Sequence, residues 1–392
     1  MIQSGAINHG SKRLSRFSMT SLDATNETSP QSSVNSLKSI PEHSFDITHH
    51  QDYDLEFVNF KLNRIVVDSI YLPDVDKIFI FFLRMVELWD PGTFTCIKRI
   101  QPPNGKGAFE VMLTNYHKII HIPKRKLIII HDMVWVYFYT YSPELKYLNK
   151  IRHPKWLQSN RSSIIYKISS IQSTEHYRGE LLFVAGSTSY VQIWNIRTMK
   201  IAKKVETCLP FDSNIVSMKL LPDHGILAIG PEPQNFEKEV QGILLYNVTT
   251  WAFVKTIGFD GFPHSMYYNP FTKNLIVYTY VEYANESCVS VILLDGLDAV
   301  GLYNYTLGTD GQNSIIFPKE NLLLGKNKDQ SLLLLFNLSN ETAQPRRIRS
   351  NTHNNEDTEI FKVFMVKDDK RDRILVFDFT VYRISVYEIR RN

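Results

Sequence analysis

Val86–Glu87–Leu88–Trp89–Asp90 is the first of seven apolar segments that end in the same way. Each segment finishes on a large aromatic or aliphatic residue, and in five of the seven the next residue is Asp or Asn. The anchor positions are 89, 139, 194, 246, 294, 336 and 387, so the segments recur about every 50 residues. A period in this range is typical of repeat architectures.

The residues around the first anchor predict four strands. Ile65–Leu72, Ile78–Leu83, Val86–Trp89 and Cys96–Ile100 are rich in β-branched and aromatic residues. Pro-containing and Gly-containing turns separate the first strand from the second and the third from the fourth. Four short antiparallel strands in about 40 residues form one propeller blade, and the later units repeat this order.

The seventh unit has only three predicted strands, the last of which is Val381–Ile389. A spare strand-like segment, Leu55–Leu62, precedes the first unit. Pairing of this segment with the last strand would remove an exposed edge and close a ring. The sequence therefore predicts an all-β, seven-bladed β-propeller over residues 53–392, closed by an N-terminal strand that pairs with the last blade.

Residues 1–52 differ in composition, since Ser, Thr and Asn dominate and apolar residues are isolated. Such a segment buries too little apolar surface to offset its ordering entropy, so we expect a disordered leader. Ser15 and Ser18 follow arginines, and Ser29 precedes a proline, which are patterns that kinases recognise. Phosphorylation there would add negative charge beside a basic cluster and change docking.

The bulk composition narrows the class of protein. The net charge of +4 does not require a nucleic-acid partner, and the three cysteines show neither metal spacing nor a disulfide framework. No apolar run is long enough to span a bilayer, and the first residues do not form a secretory signal. We expect a cytoplasmic or nuclear protein.

Across residues 55–392 the repeated pattern resembles the WD40-repeat family, most clearly in two of the units. Trp89–Asp90 stands where that family's Trp-Asp dipeptide closes the third strand, and Trp194–Asn195 is a near match. Ala185–Gly186–Ser187 followed by Val191–Trp194 is similar to the family's second strand, turn and third strand. The resemblance implies a WD40-like propeller that acts as a binding platform. Five anchors carry Tyr, Leu or Phe instead of Trp, so we expect apolar packing rather than the family's hydrogen-bonded tetrad to hold most blades.

The sequence contains none of the common phosphate-loop, zinc-protease or serine-hydrolase motifs. We therefore expect no catalytic residue, no metal and no cofactor. Long loops on a rigid scaffold are where binding residues concentrate, and large aromatic residues make effective anchors. The candidates for partner binding on these loops are Arg84, Asp132, Trp156, Phe236, Phe262, Tyr283 and Lys326.

These features favour a non-catalytic protein–protein interaction scaffold, a subunit or adaptor of a multi-protein complex. One alternative is a propeller that binds phosphoinositides at membranes, with Arg346, Arg347 and Arg349 facing the anionic surface. A second alternative is an enzyme with its site at the central channel. Separate basic patches do not form the continuous basic and aromatic stripe that a nucleic-acid interface needs.

Overall fold

From residue 66 onward the chain folds into antiparallel strands in the order that the sequence predicts. The computed structural model describes residues 45–54, 66–93, 95–103, 108–109, 119–132, 135–152, 168–173, 181–186, 189–209, 214–232, 242–258, 263–281, 286–307, 315–319, 321–326, 333–339, 346–348, 360–368, 373–380 and 383–391. The strands are β1 Phe45–Asp54, β2 Val66–Leu72, β3 Lys77–Phe82, β4 Met85–Asp90, β5 Thr95–Ile100, β6 Ile119–Ile122, β7 Leu127–His131, β8 Trp135–Thr140, β9 Lys146–Arg152, β10 Ile168–Ser173, β11 Leu181–Gly186, β12 Tyr190–Asn195, β13 Lys200–Glu206, β14 Asn214–Leu221, β15 Ile226–Glu232, β16 Ile243–Asn247, β17 Phe253–Ile257, β18 Pro263–Tyr268, β19 Leu275–Val281, β20 Glu286–Asp295, β21 Asp298–Leu307, β22 Ile315–Phe317, β23 Leu322–Lys326, β24 Leu333–Asn337, β25 Arg346–Ile348, β26 Ile360–Asp368, β27 Arg373–Thr380 and β28 Arg383–Arg391. Two short 3-10 turns, Pro123–Arg125 and Pro222–His224, are the helical elements of this described part.

Six sheets are each built from four consecutive strands: sheet 1 is β2–β5, sheet 2 is β6–β9, sheet 3 is β10–β13, sheet 4 is β14–β17, sheet 5 is β18–β21 and sheet 6 is β22–β25. A further four-stranded sheet, the terminal sheet, has the order β1-β28-β27-β26 and so combines both ends of the described chain. First strands of neighbouring sheets contact each other, for example β10 with β14 and β14 with β18. The prediction of an all-β propeller is confirmed.

The strand beside β28 is not the one that the sequence pattern indicated. β1 pairs with β28 from Phe45 opposite Arg391 to Asp54 opposite Arg383. The prediction that residues 55–62 pair there is therefore wrong, and those residues lie outside the described part. β1 also begins inside the segment 1–52 that was expected to be disordered, while residues 1–44 lie outside the described part. β1 is polar, and a strand at a sheet edge gains order from backbone hydrogen bonds that a composition argument does not count.

Apolar side chains fill the space between neighbouring sheets. In β11 of sheet 3, Leu182 and Val184 pack into the core shared with sheet 2, whereas Phe183 and Ala185 pack into the core shared with sheet 4. Equivalent cores join sheets 1 and 2, sheets 4 and 5, and sheets 5 and 6. A strand that is buried on both faces needs a continuous apolar run, which explains why the anchor segments do not alternate.

The indole N–H groups of the two anchor tryptophans have hydrogen-bond acceptors within their own strands. Trp89 Nε1 donates to Glu87 Oε2 at 2.7 Å, and Trp194 Nε1 donates to Gln192 Oε1 at 3.1 Å. The Asp or Asn after an anchor has a different role, because its side-chain oxygen accepts backbone N–H groups of the turn that follows. Asp90 accepts from Gly92 and Thr93 in this way, and the same arrangement follows Asn195, Asn247 and Asn337. The recurring dipeptide is thus a packing residue followed by a turn residue.

Tyr139, the second anchor, is fully buried, and its hydroxyl has no hydrogen-bond partner among the described residues. Burial raises the pKa of this phenol well above its ordinary value. We expect Tyr139→Phe to raise the free energy of unfolding by about 1 kcal/mol, because it removes an unsatisfied polar atom. Chemical denaturation measures the change.

Tyr141→Phe is the matched control for this prediction. The Tyr141 hydroxyl donates to Asp74 Oδ2 at 2.8 Å and lies 2.7 Å from His121 Nε2. Its removal is expected to destabilise the protein by about 1 kcal/mol. Equal destabilisation by the two variants would show that Tyr139 has a partner of comparable strength.

A proline opens the turn between the first and second strands in five sheets, and the residue three positions later adopts a left-handed conformation. The prolines are Pro73, Pro123, Pro222, Pro270 and Pro318, and the left-handed residues are Asp76, Lys126, Gly225, Lys273 and Asn321, with φ from 51° to 61°. Proline presets the φ of the first turn position, and the left-handed residue reverses the chain into the next strand. This repeated turn fixes the length of the inner hairpin.

The outermost strand of each of sheets 1 to 5 carries an irregularity opposite the anchor. The register shifts there by one residue, and the extra residues are Ile97, Leu148, Ala202, Val254 and Val300. A bulge of this kind leaves the extra residue unpaired and increases the local twist. Four of the five side chains are large, apolar and exposed, between 41% and 64%. The number of residues between the anchor and the bulge varies from sheet to sheet, so the sequence pattern alone did not reveal the bulges.

Candidate interaction surfaces

The predicted binding loops leave the sheets at one end of the strands. Because neighbouring strands are antiparallel, the connections from second to third strand and from fourth strand to the next sheet emerge together. We call this end the loop end. Arg84, between β3 and β4, and Asp132, between β7 and β8, are its two predicted residues with described side chains.

Arg84 is exposed and has no described partner. The backbone beside it is held in place, since the carbonyl of Leu83 accepts a 2.8 Å hydrogen bond from the N–H of Phe109. The loop that follows β5 is thereby tied to the β3–β4 loop of the same sheet. Arg84 thus stands at a defined position with its guanidinium available to a ligand or partner.

Asp132 is buried, with 1% of its surface exposed. Its Oδ1 accepts the N–H of Trp135 at 2.7 Å and its Oδ2 accepts the hydroxyl of Tyr137 at 2.7 Å. Its own N–H donates to the carbonyl of Trp135 at 3.0 Å. Asp132 therefore stabilises the β7–β8 turn from inside, and its carboxylate does not lie on the surface as a binding residue would.

Phe109 is the aromatic residue at this end that the structure brings into the interior. Its ring packs edge-on against Phe81 of sheet 1, with centroids 4.9 Å apart, and against Tyr137 of sheet 2, with centroids 5.1 Å apart. Only 2% of its surface is exposed. Phe109 is thus a wedge between two sheets, and through Tyr137 it adjoins the Asp132 turn.

The remaining predicted site residues have no described side chains. Trp156, Phe236, Phe262, Tyr283, Arg349, Ser15, Ser18 and Ser29 lie outside the described residues. Lys326 is the last residue of β23, and Arg346 and Arg347 begin β25, the outermost strand of sheet 6. For these three residues the structure gives the backbone position only.

A polar cluster links sheets 1 and 2 at the end opposite the loop end. Asp74, in the β2–β3 turn, pairs with Lys126 at 2.5 Å and accepts the hydroxyl of Tyr141. Burial opposes ionisation of Asp74, but the hydrogen bonds from Lys126 and Tyr141 outweigh it and lower its pKa. Burial lowers the pKa of His121, which lies 3.7 Å from Asp74. The cluster holds sheets 1 and 2 together. A similar contact joins sheets 5 and 4, where the hydroxyl of Tyr268 donates to Asp223 Oδ2 at 2.9 Å.

Lys219 lies on β14, a first strand, and its ammonium sits 5.0 Å from the ring centre of Tyr267 on the first strand of sheet 5. It is partly buried, and that cation–π contact is its only described interaction. Burial lowers the pKa of Lys219 to about 8 and raises the pKa of Tyr267 to about 12. First strands are the innermost ones of a propeller, so Lys219 is a cation on the inner side of the sheets.

We expect Lys219→Met to stabilise the protein at pH 7 by on the order of 2 kcal/mol, because it removes the cost of a partly buried charge. Between pH 8 and pH 10.5 the unfolded chain holds the Lys219 proton while the folded chain releases it. The stability of the unsubstituted protein should therefore rise with pH across this window, and the rise should shrink in the variant. Urea denaturation at a series of pH values tests both the stabilisation at pH 7 and the pH dependence. Lys203→Met is the control, because Lys203 is an exposed lysine. Parallel pH profiles for all three proteins would contradict the prediction.

Within the described residues, no group of three or more His, Cys, Asp or Glu side chains is arranged to hold a metal ion. No helix in this part of the chain has the length and apolarity to cross a membrane.

Comparison with known proteins adds evidence on the fold. No protein-family model matches the chain, and no curated protein matches its sequence. Among solved structures, the crystal structure of Raptor from Chaetomium thermophilum is similar, with a TM-score of 0.60 over 83% of this chain and 11% sequence identity. This chain spans 28% of that protein's length. At such low identity the likeness shows a shared fold with part of a much longer protein, and nothing beyond the fold.

Proposed function

We propose that this chain is a non-catalytic β-propeller scaffold that holds other proteins within a multi-subunit assembly. The observation that carries the proposal is the set of exposed apolar bulge residues on successive outer strands, which include Ile97, Leu148, Val254 and Val300. They stand on sheets whose shared cores make a rigid frame. An exposed apolar side chain gains free energy when a partner covers it, and these four recur in a fixed place on a rigid frame.

In this proposal the terminal sheet is the seventh blade of a WD40-like ring. The support is that β26 contacts both β22 of sheet 6 and β2 of sheet 1, so the terminal sheet adjoins the first and last of the six consecutive sheets. Pairing of β1 with β28 would then fasten the two ends of the propeller together. Deletion of residues 45–54 should lower the melting temperature, which differential scanning calorimetry measures.

The proposal also covers where the protein works and how it is regulated. A reduced cytoplasmic or nuclear setting suits a chain whose three cysteines, Cys96, Cys208 and Cys288, are far apart in sequence and do not form a disulfide framework pattern. Phosphorylation of Ser15, Ser18 or Ser29 would adjust partner binding through added charge. The loop-end candidates Arg84, Trp156, Phe236, Phe262, Tyr283 and Lys326 are the residues proposed to contact partners.

Affinity purification of the tagged chain from its own cell, followed by mass measurement of the intact complex, tests the scaffold function. Stoichiometric partners are expected, and a monomer free of partners would contradict the proposal. Arg84→Glu should reduce partner recovery, since it reverses an exposed charge at the loop end. Lys124→Glu, the same change in an exposed turn at the opposite end, is the matched control.

A second candidate is binding to phosphoinositides. It is favoured by the position of Arg346 and Arg347 on β25, the outermost strand of sheet 6. Arginine residues on an edge strand suit binding to an anionic membrane surface. Flotation with phosphoinositide-containing liposomes that is lost in Arg346→Ala/Arg347→Ala would support it, and flotation unchanged by that double substitution would count against it.

A further inference from the structure

Positive charge is concentrated on the outer strands of three adjacent sheets. β5, β9 and β13 are the outermost strands of sheets 1, 2 and 3, which share cores with one another. They carry the exposed lysines Lys98, Lys146, Lys200 and Lys203. We call these four lysines, with the exposed aliphatic residues Ile97 and Leu148 between them, the basic rim.

The lysines of the basic rim have no described partner, whereas neighbouring cations are engaged. Arg99 pairs with the buried carboxylate of Glu87, and Lys150 lies 4.4 Å over the ring of Trp135. Glu206, the one acidic residue on the three strands, is paired with Lys204 at 2.5 Å. The rim lysines therefore carry an excess of positive charge that acidic residues on β5, β9 and β13 do not neutralise.

The outer strands of the next two sheets do not carry such an excess of positive charge, so it is not a general property of the outer strands. The outer strand β17 of sheet 4 has one charged residue, Lys255, and β21 of sheet 5 also has one, Asp298. These two residues pair with each other across the sheets. The whole chain has a net charge of +4, so the rim is a local concentration and not a reflection of the total.

We propose that the basic rim binds an extended acidic segment of a partner protein. Asp and Glu side chains of that segment would lie against the four lysines, and its aliphatic side chains would cover Ile97 and Leu148. This inference rests on the proposed scaffold function and names the chemistry of one partner. Charge complementarity attracts the segment and speeds its association with the rim, while burial of the aliphatic residues adds affinity.

The geometry favours a polypeptide over the two other common polyanions. β5, β9 and β13 each pair on one side only, so each offers backbone groups that a peptide strand can hydrogen-bond. Single-stranded nucleic acid needs exposed aromatic rings for base stacking, and the exposed uncharged residues that the structure describes on these strands are Ile97, Leu148, Asn149, Ile201 and others without rings. The exposed aliphatic residues Ile97, Leu148 and Ile201 stand singly on three separate strands, so they do not form the continuous apolar face that buries an element in a membrane interface.

Fluorescence polarisation of the full chain with a labelled peptide of about 20 residues, repeating Glu-Gly-Leu-Gly, tests the proposal. The same peptide with Gln in place of Glu is the neutral probe. The acidic peptide should bind more tightly than the neutral one, and more weakly at about 200 mM than at about 50 mM salt. Lys98→Gln/Lys146→Gln/Lys203→Gln should weaken binding of the acidic peptide about tenfold, since three exposed ion pairs are lost.

Lys124→Gln/Lys273→Gln/Lys319→Gln is the matched control, because it removes three exposed positive charges from turns outside the rim. It should leave binding within about twofold. Equal weakening by both triple variants, equal binding of the two peptides, or no peptide binding would overturn the proposal. Tighter binding to an oligothymidine or to phosphatidylserine vesicles would also overturn it. If partners still co-purify with the triple rim variant, the assignment of the rim as a binding surface fails and the scaffold function stands. If no partner co-purifies with the unsubstituted chain, the scaffold function itself is refuted.

Discussion

Phe109→Ala is expected to lower the free energy of unfolding by about 4 kcal/mol. The ring fills the junction of sheets 1 and 2 between Phe81 and Tyr137, and removing it leaves a cavity that rigid strands on both sides cannot close. Two edge-to-face aromatic contacts are lost as well. Urea denaturation followed by tryptophan fluorescence and circular dichroism measures the loss.

Phe271→Ala is the matched control, since the same atoms are removed from a ring that is 57% exposed. It should change the free energy of unfolding by less than about 1 kcal/mol, because its main contact is a cation–π interaction with Lys319. If the two variants lose the same stability, Phe109 does not act as a wedge between the sheets. A large loss at Phe109 would also mean that this residue is part of the core between sheets 1 and 2.

Asp132→Ala is expected to cost about 3 kcal/mol. The substitution leaves the N–H of Trp135 and the hydroxyl of Tyr137 without the carboxylate that accepts both hydrogen bonds in the interior. Asp132→Asn retains one acceptor oxygen, so its cost should be smaller. Thermal and chemical denaturation of both variants give the comparison.

A double-mutant cycle with Tyr137→Phe separates this contact from general disruption. Because Tyr137→Phe already removes the hydroxyl, the double variant should lose less than the two single variants added together. Arg84→Ala, at the equivalent exposed loop of sheet 1, should stay within about 0.5 kcal/mol of the unsubstituted protein. Additive losses at Asp132 and Tyr137 would show that their hydrogen bond contributes little.

The contrast between Arg84 and Asp132 shows how far sequence reasoning reached at the candidate site. Both were placed correctly in loops between the second and third strands, because strand order follows from the local pattern. The sequence could not show that Asp132 turns inward, since this depends on the hydroxyl of Tyr137 five residues away and on the backbone of the turn. A short loop that places Asp three residues before Trp135 is a weak signal for such a turn.

The basic rim was missed for a related reason. Its lysines lie on three segments that are separated by about 50 residues each, so no single stretch is strongly basic. Only the stacking of sheets 1, 2 and 3 brings the three outer strands to neighbouring positions. The exposed residues Ile97 and Leu148 resembled ordinary strand residues in sequence, and the register shift opposite each anchor is what leaves them unpaired.

The repeat of apolar segments, the four-strand unit and the proline turns were determined by the sequence alone, because each is encoded by residues within about 40 positions of one another. The segment that pairs with β28 was decided by tertiary structure, and it proved to be Phe45–Asp54 and not residues 55–62. Pairing at a sheet edge is stabilised by backbone hydrogen bonds, which are the same for every residue type and leave little trace in composition. The register places Asp46 opposite Arg390 and Asp54 opposite Arg383, so residue types of opposite charge face each other across a separation of more than 300 residues.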